Sequence, residues 1–552
     1  TGRGAVTDVN GRFHISGLSG GEVTLRVIMI GYRTVTVPAR VGDAAIRVAL
    51  TEAAVELDQI VVTGTVGGTQ RRQLGNSVAR ITAADVVASA PVQSMQDLLN
   101  GRAAGVVVMP GTGMVGSGSR IRIRGGLSTL SLSNDPLIYV DGVRVNNETG
   151  TGFAVQGFGS GVVARLNDFN PDEIESIEII KGPAAATLYG TEASRGVINI
   201  ITKKGAPGGV RYTFNLKQGA NWFMNPEGRI PWNYAIVNGR PDSLNLVISE
   251  NERGTPIFRT GHVQGYGVSV AGGGQDVRYY VSTDVDREQG AERNNYRDRL
   301  SGRANLQIQP HERFDLSANV GYIKMDIGLS CEAGCGGAMW AAMFGGPHRT
   351  SRACTPSSPY GCGFSRGATS QSIETYYAWQ DKQFIDRFTG SVQFNHRPFP
   401  WLSHRLTVGT DVTDETNTEL GEYQTNDTIR FFLGPNLANG FRTHQRRHQT
   451  INTFDYSATA NLPVSEDLAS ATSLGVQYYQ RHIELVSASG IEFAAPGLEV
   501  VSATARDRTA AEDYLDNNTL GSFAQQQFTW RDRLYLTAAL RIDNNSAFGK
   551  DI

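Results

Sequence analysis

The segment from Pro171 to Gly205 reads PDEIESIEIIKGPAAATLYGTEASRGVINIITKKG, and it carries more structural information than any other part of the chain. Its first run, IESIEII, alternates in the manner of a β-strand. GPAAATLYG then predicts a turn followed by a short helix, and GVINIITKKG predicts a second strand that ends in a basic turn. The residues alone therefore predict a small α+β unit interrupted by glycines.

The residues before this segment predict two short helices and several more strands. Thr82-Ala83-Ala84-Asp85 and Ser94-Met95-Gln96-Asp97 each place a hydroxyl group three residues before a carboxylate, which is a signature of helix N-termini. GVVVM, SRIRIRGG and PLIYVDGVRV follow, and the Asp-Gly pair in the last of these indicates a hairpin. In this order the helices, IRIRG, LIYVDG, IESIEIIKGP, YG and GVINI resemble the plug domain of TonB-dependent outer-membrane receptors.

The second half of the chain alternates apolar and polar residues over long runs. The alternation covers Leu300 to Gln309 and Phe314 to Tyr322, on either side of a short turn, and it recurs around HRPFPW, PVSED and WRDR. Long polar loops, predicted at Gly328 to Ser372 and Asn417 to His448, separate these hairpins. A soluble β-sandwich or β-helix also alternates, but its strands are usually about five or six residues long. Runs of nine or more favour a membrane-spanning β-barrel, whose strands need roughly 9 to 11 residues.

The composition limits the classes of function. The chain of 552 residues has 51 basic and 53 acidic residues and a net charge of −2, so no field that would attract nucleic acid is expected. No run approaches the roughly 18 to 20 apolar residues of a membrane helix. GTGMVGSG and GPAAATLYG lack the Lys-Ser/Thr ending of a phosphate-binding loop, and no Ser-His-Asp pattern or paired carboxylates emerge. We expect no enzymatic activity and no cofactor.

The N-terminal region predicts a small all-β unit and a peptide that follows it. TDVNGRF and IGYRTVTV resemble the carboxypeptidase-regulatory-like β-sandwich of SusC/RagA-type transporters. The next segment, ELDQIVVTGT, is a short β-prone stretch that can add as a strand to another protein's sheet. It resembles a TonB box, the peptide that the energy-transducing protein TonB binds. The predicted box residues are Leu57, Asp58, Gln59, Ile60, Val61, Val62 and Thr63.

Two groups of side chains are further candidates for a site. Arg120, Arg122 and Arg124 of IRIRG could form a solvated strand face, or, in a plug, they could pair with carboxylates of the barrel wall, since buried charges need partners. All four cysteines, Cys331, Cys335, Cys354 and Cys362, lie in one predicted loop. Disulfides are favoured, with Cys331 to Cys335 and Cys354 to Cys362 as the first choice. A zinc site is the alternative, although the spacings fit common zinc ribbons poorly.

Together these features predict a mainly β chain with four parts. They are a partial β-sandwich at 1–52, the TonB box and a linker at 53–70, an α+β plug at 71–207, and, at 208–552, the first half of a transmembrane antiparallel barrel of about 22 strands. We count about eleven or twelve candidate barrel strands. Because the chain begins without Met and Ile552 is not the terminal aromatic residue usual in such barrels, the resemblance also predicts truncation at both ends.

The resemblance to SusC/RagA-type TonB-linked transporters implies a function. Such a protein imports a nutrient of the glycan or oligopeptide class across the bacterial outer membrane when TonB pulls on the box and displaces the plug. The implied partners are TonB, a SusD-like surface lipoprotein and outer-membrane lipid, and the N-terminal domain is periplasmic. Where family members read close to KDASAAAIYG, this chain has KGPAAATLYG, which is nearer to siderophore or cobalamin receptors without a SusD partner. A non-transporting adhesin or structural β protein is the alternative of another class.

Overall fold

The computed structural model describes residues 5, 7, 11–18, 20–27, 35–43, 46–49, 60–61, 69–70, 77–89, 92–125, 135–152, 163–182, 185–329, 337–347 and 373–548. The chain forms two compact units, one made of Thr1–Val62 and Gly68–Leu74 and the other of Thr63–Gly67 and Gly75–Ile552. The four cysteines and the box residues Leu57, Asp58, Gln59, Val62 and Thr63 lie outside the described residues, and what the sequence predicts for them stays a prediction.

The first unit is built from two antiparallel ribbons. Strand β1 (Glu22–Val27) pairs with β2 (Val35–Arg40), and the short β3 (Ile60–Val61) pairs with β4 (Thr69–Gln70). The alternation of apolar and polar residues in β1 and β2 agrees with the predicted all-β character of this region. The central residues of the predicted TonB box therefore lie in a two-residue strand.

The plug, the name we keep for the region from 77 to 205, contains the helices and strands predicted from its sequence. They are β5 (Val78–Thr82), α1 (Ala83–Ser89), α2 (Met95–Leu99), β6 (Val106–Pro110), β7 (Ser119–Ile123), β8 (Leu137–Val140), β9 (Val143–Arg144), β10 (Ile174–Ile180), α3 (Ala186–Tyr189) and β11 (Val197–Thr202). Five strands form one sheet in the order β5-β10-β11-β8-β9, with β8 parallel to β11. Strands β6 and β7 form a separate ribbon.

The sequence explains why the plug sheet lies at the centre of this unit. Ile177 and Ile179 of β10 stand opposite Ile200 and Ile198 of β11 on one face of the sheet, and all four have no exposed surface. Helix α2 covers the sheet and begins with a complete capping box, in which the backbone N–H of Ser94 donates to the Asp97 carboxylate at 3.0 Å. This apolar face and the apolar residues of α2 form the core of the plug.

The second half of the chain forms a single sheet of eleven strands, which we call the wall. Its members are β12 (Gly208–Asn221), β15 (Gly261–Gly273), β16 (Val277–Gln289), β17 (Tyr296–His311), β18 (Phe314–Leu329), β19 (Trp379–Phe399), β20 (Leu402–Gly421), β21 (Phe441–Pro463), β22 (Leu468–Phe493), β23 (Thr504–Trp530) and β24 (Leu534–Asn545). Each strand pairs antiparallel with the next wall strand along the chain. The predicted hairpins are confirmed.

The wall has its apolar residues on the outside. Val281, Val320 and Val408 are each more than a third exposed, whereas Arg299 and Arg387 on the opposite face are buried. A water-soluble protein shows the reverse arrangement. The face that carries the arginines contacts the plug, and we call it the inner face.

The strands extend further than the sequence predicts. The expected polar loop at Asn417 to His448 is shorter than predicted, because β20 continues to Gly421 and β21 begins at Phe441. The backbone ladder continues there, with Thr418 opposite His444, although both faces of the strands have become polar. A strand that is polar on both faces shows no alternation of apolar and polar residues, so the pattern used here to predict strands does not detect it.

The long segments that connect β12 to β15, β18 to β19 and β20 to β21 contain the remaining helices and strands. They contain α4 (Pro226–Arg229), β13 (Asn233–Val237), β14 (Arg240–Leu244), α5 (Leu246–Glu252), α6 (Ala338–Phe344), α7 (Ile373–Tyr377) and α8 (Asp427–Ala438). Leu246, Ile257, Ala341 and Ile373 pack into one buried cluster that joins two of these segments. Among the described residues, no helix is long and apolar enough to cross a membrane.

Candidate functional site

A short and highly charged segment of the plug, RLNDFNPDE, from Arg165 to Glu173, makes several of its contacts with the wall. It forms two 3-10 turns, Arg165–Asp168 and Pro171–Glu173. The side chain of Asn170 accepts a hydrogen bond from the backbone N–H of Asp172 at 3.1 Å, and Pro171 occupies the first helical position, where its missing N–H costs nothing. We call this the anchor segment. Its four charged side chains are buried, so each needs a partner.

Arg387, on the inner face of β19, is the wall residue with the most complete set of contacts to the anchor segment. Its guanidinium group lies over the ring of Phe169, with 4.4 Å between Cζ and the ring centroid. Nε donates to Asp411 Oδ1 on β20 at 2.9 Å, and Nη2 donates to Asp411 Oδ2 at 3.0 Å. Nη1 donates to Asp168 Oδ2 at 3.0 Å and to the carbonyl oxygen of Arg165 at 2.8 Å.

Asn146, just after β9, completes the contacts of this arginine. Nη2 of Arg387 also donates to the carbonyl oxygen of Asn146 at 3.0 Å, while the N–H of Asn146 donates to Asp411 Oδ2 at 2.8 Å. All five guanidinium N–H donors therefore have an acceptor, and three of the five acceptors belong to the plug. A buried arginine with every donor satisfied is among the strongest polar contacts that a protein interior offers.

Arg165 approaches one of these carboxylates, Asp168, from the plug side and makes fewer hydrogen bonds than Arg387. Its Nη2 donates to Gln383 Oε1 at 2.8 Å. Its Nη1 lies 3.8 Å from Asp168 Oδ1 and 3.7 Å from Glu415 Oε2, distances that give attraction between charges without a hydrogen bond. Burial raises the pKa of the Asp168 carboxyl group, and the two neighbouring guanidinium groups oppose that shift.

A second group of contacts comes from β17, where arginines alternate along the inner face. Arg299 binds Asp286 at 2.5 Å and donates through Nη1 to the carbonyl oxygen of Phe169 at 3.1 Å. Arg303 donates through Nε to Glu173 Oε2 at 2.8 Å. These residues connect the end of the anchor segment to the wall.

Ion pairs also join the plug to more distant strands. Lys217 of β12 binds Asp172, and Arg447 of β21 binds Glu148, each at 2.5 Å between nitrogen and oxygen. At the last strand, β24, Arg541 donates to the carbonyl oxygen of Leu188 at 3.1 Å. The plug thus contacts both the first strand of the wall, β12, and the last one, β24.

The three arginines of IRIRG are not among these contacts. Arg122 pairs with Asp135, a plug residue, at 3.2 Å, rather than with a carboxylate of the wall. Arg120 and Arg124 are exposed, and neither forms an ion pair within the part of the chain that the structure describes. Wall partners for these two stay a prediction. The interface instead uses the anchor segment. Its signal in the sequence is the presence of four charged residues within the nine residues of RLNDFNPDE, together with arginines spaced two residues apart in a wall strand.

Three family models match the chain: "TonB-dependent Receptor Plug Domain" over residues 70–197, "CarboxypepD_reg-like domain" over 1–62, and "TonB dependent receptor-like, beta-barrel" over 343–552. Among curated proteins, TonB-dependent receptor SusC of Bacteroides thetaiotaomicron is 32% identical over 327 residues, covering 57% of this chain and 31% of SusC. TonB-dependent receptor P26 of Formosa agariphila is 25% identical over 600 aligned residues, covering 100% of this chain and 54% of P26.

Among solved structures, the RagAB peptide importer in its open-open state is similar in fold. Its TM-score is 0.70 at 19% identity, with 90% of this chain and 57% of that chain covered. The ferric citrate transporter FecA has a TM-score of 0.52 at 13% identity. The chain spans about half or less of the length of the curated relatives SusC and P26.

Proposed function

The chain belongs to the SusC/RagA family of TonB-dependent receptors, and on that premise we propose that it imports a nutrient of the glycan or oligopeptide class across the bacterial outer membrane. In this proposal the wall forms part of a barrel that crosses the outer membrane and the plug closes its interior. TonB, energised at the inner membrane, pulls on the box from Leu57 to Thr63. A SusD-like surface lipoprotein assists on the outside, and the N-terminal domain lies in the periplasm.

The observation that carries this proposal is the polar character of the contacts between the anchor segment and the wall. The anchor segment is held by ion pairs and hydrogen bonds, with Arg387 as the most complete example, while the apolar core of the plug lies mostly inside the plug itself. Polar groups that separate can exchange their partners for water, whereas a large apolar interface would expose its surface at a cost of about 25 cal/mol for each Å². An interface of this kind suits a plug that must move and return.

The outer face of the wall supports a position in a membrane. Exposed apolar residues on β18 run from Phe314 to Tyr322, and on β24 they run from Leu534 to Ile542. Each band spans nine strand positions, and a strand needs roughly 9 to 11 residues to cross a bilayer. Beyond the bands the strands continue, and the 27 residues of β23 amount to about 90 Å at roughly 3.3 Å per residue. We propose that these polar extensions project from the membrane.

Two other functions remain as alternatives. The form KGPAAATLYG, from Lys181 to Gly190, favours a siderophore- or cobalamin-type receptor, which would work by the same mechanism without a SusD-like partner. A gene for such a lipoprotein beside this one would decide against that alternative. A non-transporting adhesin would have no need of TonB, and no catalytic step on the nutrient is proposed in any of the three cases.

A proline substitution in the box tests the transport mechanism. A peptide that adds as a strand to another sheet needs its backbone N–H groups, and proline removes one. We expect Val61→Pro in the full-length protein to abolish energised uptake with unchanged amounts at the cell surface, whereas Val61→Thr, which keeps the N–H group, should transport normally. Uptake that is unaffected by Val61→Pro, or that persists after the proton gradient is collapsed, would rule out TonB-driven import.

A further inference from the structure

A row of rings crosses the outer face of the wall beside the short turns that join β17 to β18 and β19 to β20. His311, Phe314, His396 and His404 stand directly opposite one another in these four successive strands. The ring centroids of His396 and His404 are 6.0 Å apart, and the two ring planes are inclined by 22°. The row therefore contains a pair of adjacent histidines, and Phe314 separates this pair from the third histidine.

Each histidine of the pair keeps a ring nitrogen free of hydrogen bonds. His396 forms ring contacts but no hydrogen bond with the described residues. Nδ1 of His404 is hydrogen-bonded to the hydroxyl group of Tyr456 at 2.8 Å, and Nε2 has no hydrogen-bond partner in the described chain. His448, farther along β21, differs, because a carboxylate and a hydroxyl group lie 2.9 and 3.1 Å from its two ring nitrogens.

The two imidazole rings have the separation that a shared metal ion requires. Directly opposite residues in an antiparallel pair have Cβ atoms about 4.5 to 5.5 Å apart. With Zn–N bonds of about 2.0 to 2.1 Å, two imidazole ligands of one ion have ring centroids roughly 5 to 6.5 Å apart, a range that includes the observed 6.0 Å. The χ2 torsion of histidine is broad, so a rotation of each ring can direct its free nitrogen to the space between them. Both side chains are partly exposed, which leaves space for water ligands.

We propose that His396 and His404 together bind a divalent transition-metal ion, Zn²⁺ or Cu²⁺, on the outer face of the wall. Imidazole suits these ions, whereas Ca²⁺ and Mg²⁺ prefer oxygen ligands. Tyr456 is a positioning residue, because its hydrogen bond to Nδ1 of His404 leaves Nε2 as the ligand atom. No group of three or more side chains suited to a metal ion is found among the described residues, so water completes the coordination. The bound ion links β19 to β20 next to their turn.

Calorimetric titration of the intact protein in detergent tests this site without any need for TonB or transport. The protein carries no polyhistidine tag, and its free thiol groups are alkylated so that they do not compete for the metal. Zn²⁺ should bind, and Mg²⁺ should not displace it. His396→Gln and His404→Gln should each weaken Zn²⁺ binding by about 100-fold, because the second ligand of a preformed pair binds intramolecularly. Tyr456→Phe should weaken it by about tenfold.

His311→Gln is the matched control, because it removes a histidine from the same row on the far side of Phe314. Its affinity for Zn²⁺ should equal that of the parent protein. With Cu²⁺ in place of Zn²⁺, the electron paramagnetic resonance spectrum should show coupling to two nitrogen atoms in the parent protein and to one in His396→Gln. Unchanged Zn²⁺ affinity in the two pair variants, an equal loss in His311→Gln, or a Cu²⁺ spectrum without nitrogen coupling would overturn the inference.

Discussion

Replacing Arg387 with methionine should loosen the plug strongly, because the substitution removes five donors from a buried site while keeping a similar volume. Asp168 and Asp411 would lose their shared cation, and the carbonyl oxygens of Arg165 and Asn146 would lose a donor. Removing one partner of a buried ion pair costs about 3 to 5 kcal/mol. At about 1.4 kcal/mol for each factor of ten, the open population of the anchor segment should rise roughly a hundred- to several-thousand-fold.

Hydrogen–deuterium exchange measures this population directly. Peptides that cover the anchor segment, in the detergent-solubilised protein, report the free energy of local opening. Arg446→Met is the matched control, since Arg446 pairs with Asp414 at 3.4 Å on the outer face and its side chain is 66% exposed. Exposed ion pairs contribute about 0 to 1 kcal/mol, so exchange in the anchor segment should hardly change.

A second substitution separates charge from packing. Adding Asp411→Asn to Arg387→Met removes one of the two uncompensated carboxylates, so the double variant should exchange more slowly than Arg387→Met alone. If Arg387→Met and Arg446→Met exchanged at the same rate, the reasoning about the buried arginine would be refuted. If the double variant exchanged faster than the single one, packing rather than charge would explain the effect.

Two further predictions concern the plug. Burial raises the pKa of Tyr139 to about 12 from an ordinary value of 10.0, so the stability from its neutral hydroxyl group is fully present below pH 10 and is lost as the pH rises toward 12. The two pH units correspond to about 2.7 kcal/mol, and Tyr139→Phe should remove that part of the alkaline loss in exchange measurements; equal pH profiles would contradict it. Ser94→Ala should destabilise α2 by about 1 kcal/mol, seen as faster exchange at 95–99, whereas Ser89→Ala, which removes an exposed hydroxyl group at the end of α1, should have little effect.

Local patterns predicted the plug because each of its elements has a signal within a few residues. The strands of Pro171 to Gly205 were confirmed as β10 and β11, and the capping box at Ser94 begins α2 as expected. The hairpins of the wall were also predictable, since apolar residues on one face alternate with polar ones. The lengths of its strands were not predictable, because around the cross-strand pair Thr418–His444 both faces of β20 and β21 are polar while backbone pairing continues.

The contacts of the candidate site could not be predicted from the sequence. Arg387 and Asp168 are 219 residues apart, and they meet only because the register of β19 against its neighbours and the position of the plug bring them together. The charged pattern IRIRG is conspicuous in the sequence, but its Arg122 pairs with Asp135 of the plug itself and not with the wall. Charge in a sequence indicates that a partner is needed, and the fold decides which partner it is.

Several of the hydrogen bonds from the wall to the plug are accepted by backbone carbonyl oxygens. Arg387 holds those of Arg165 and Asn146, Arg299 holds that of Phe169, and Arg541 holds that of Leu188. Every amino acid presents the same oxygen at these four places, so these contacts depend on the path of the chain and not on the identity of the side chain. A substitution at any of these four positions that keeps the backbone path should therefore leave its carbonyl contact with the wall in place.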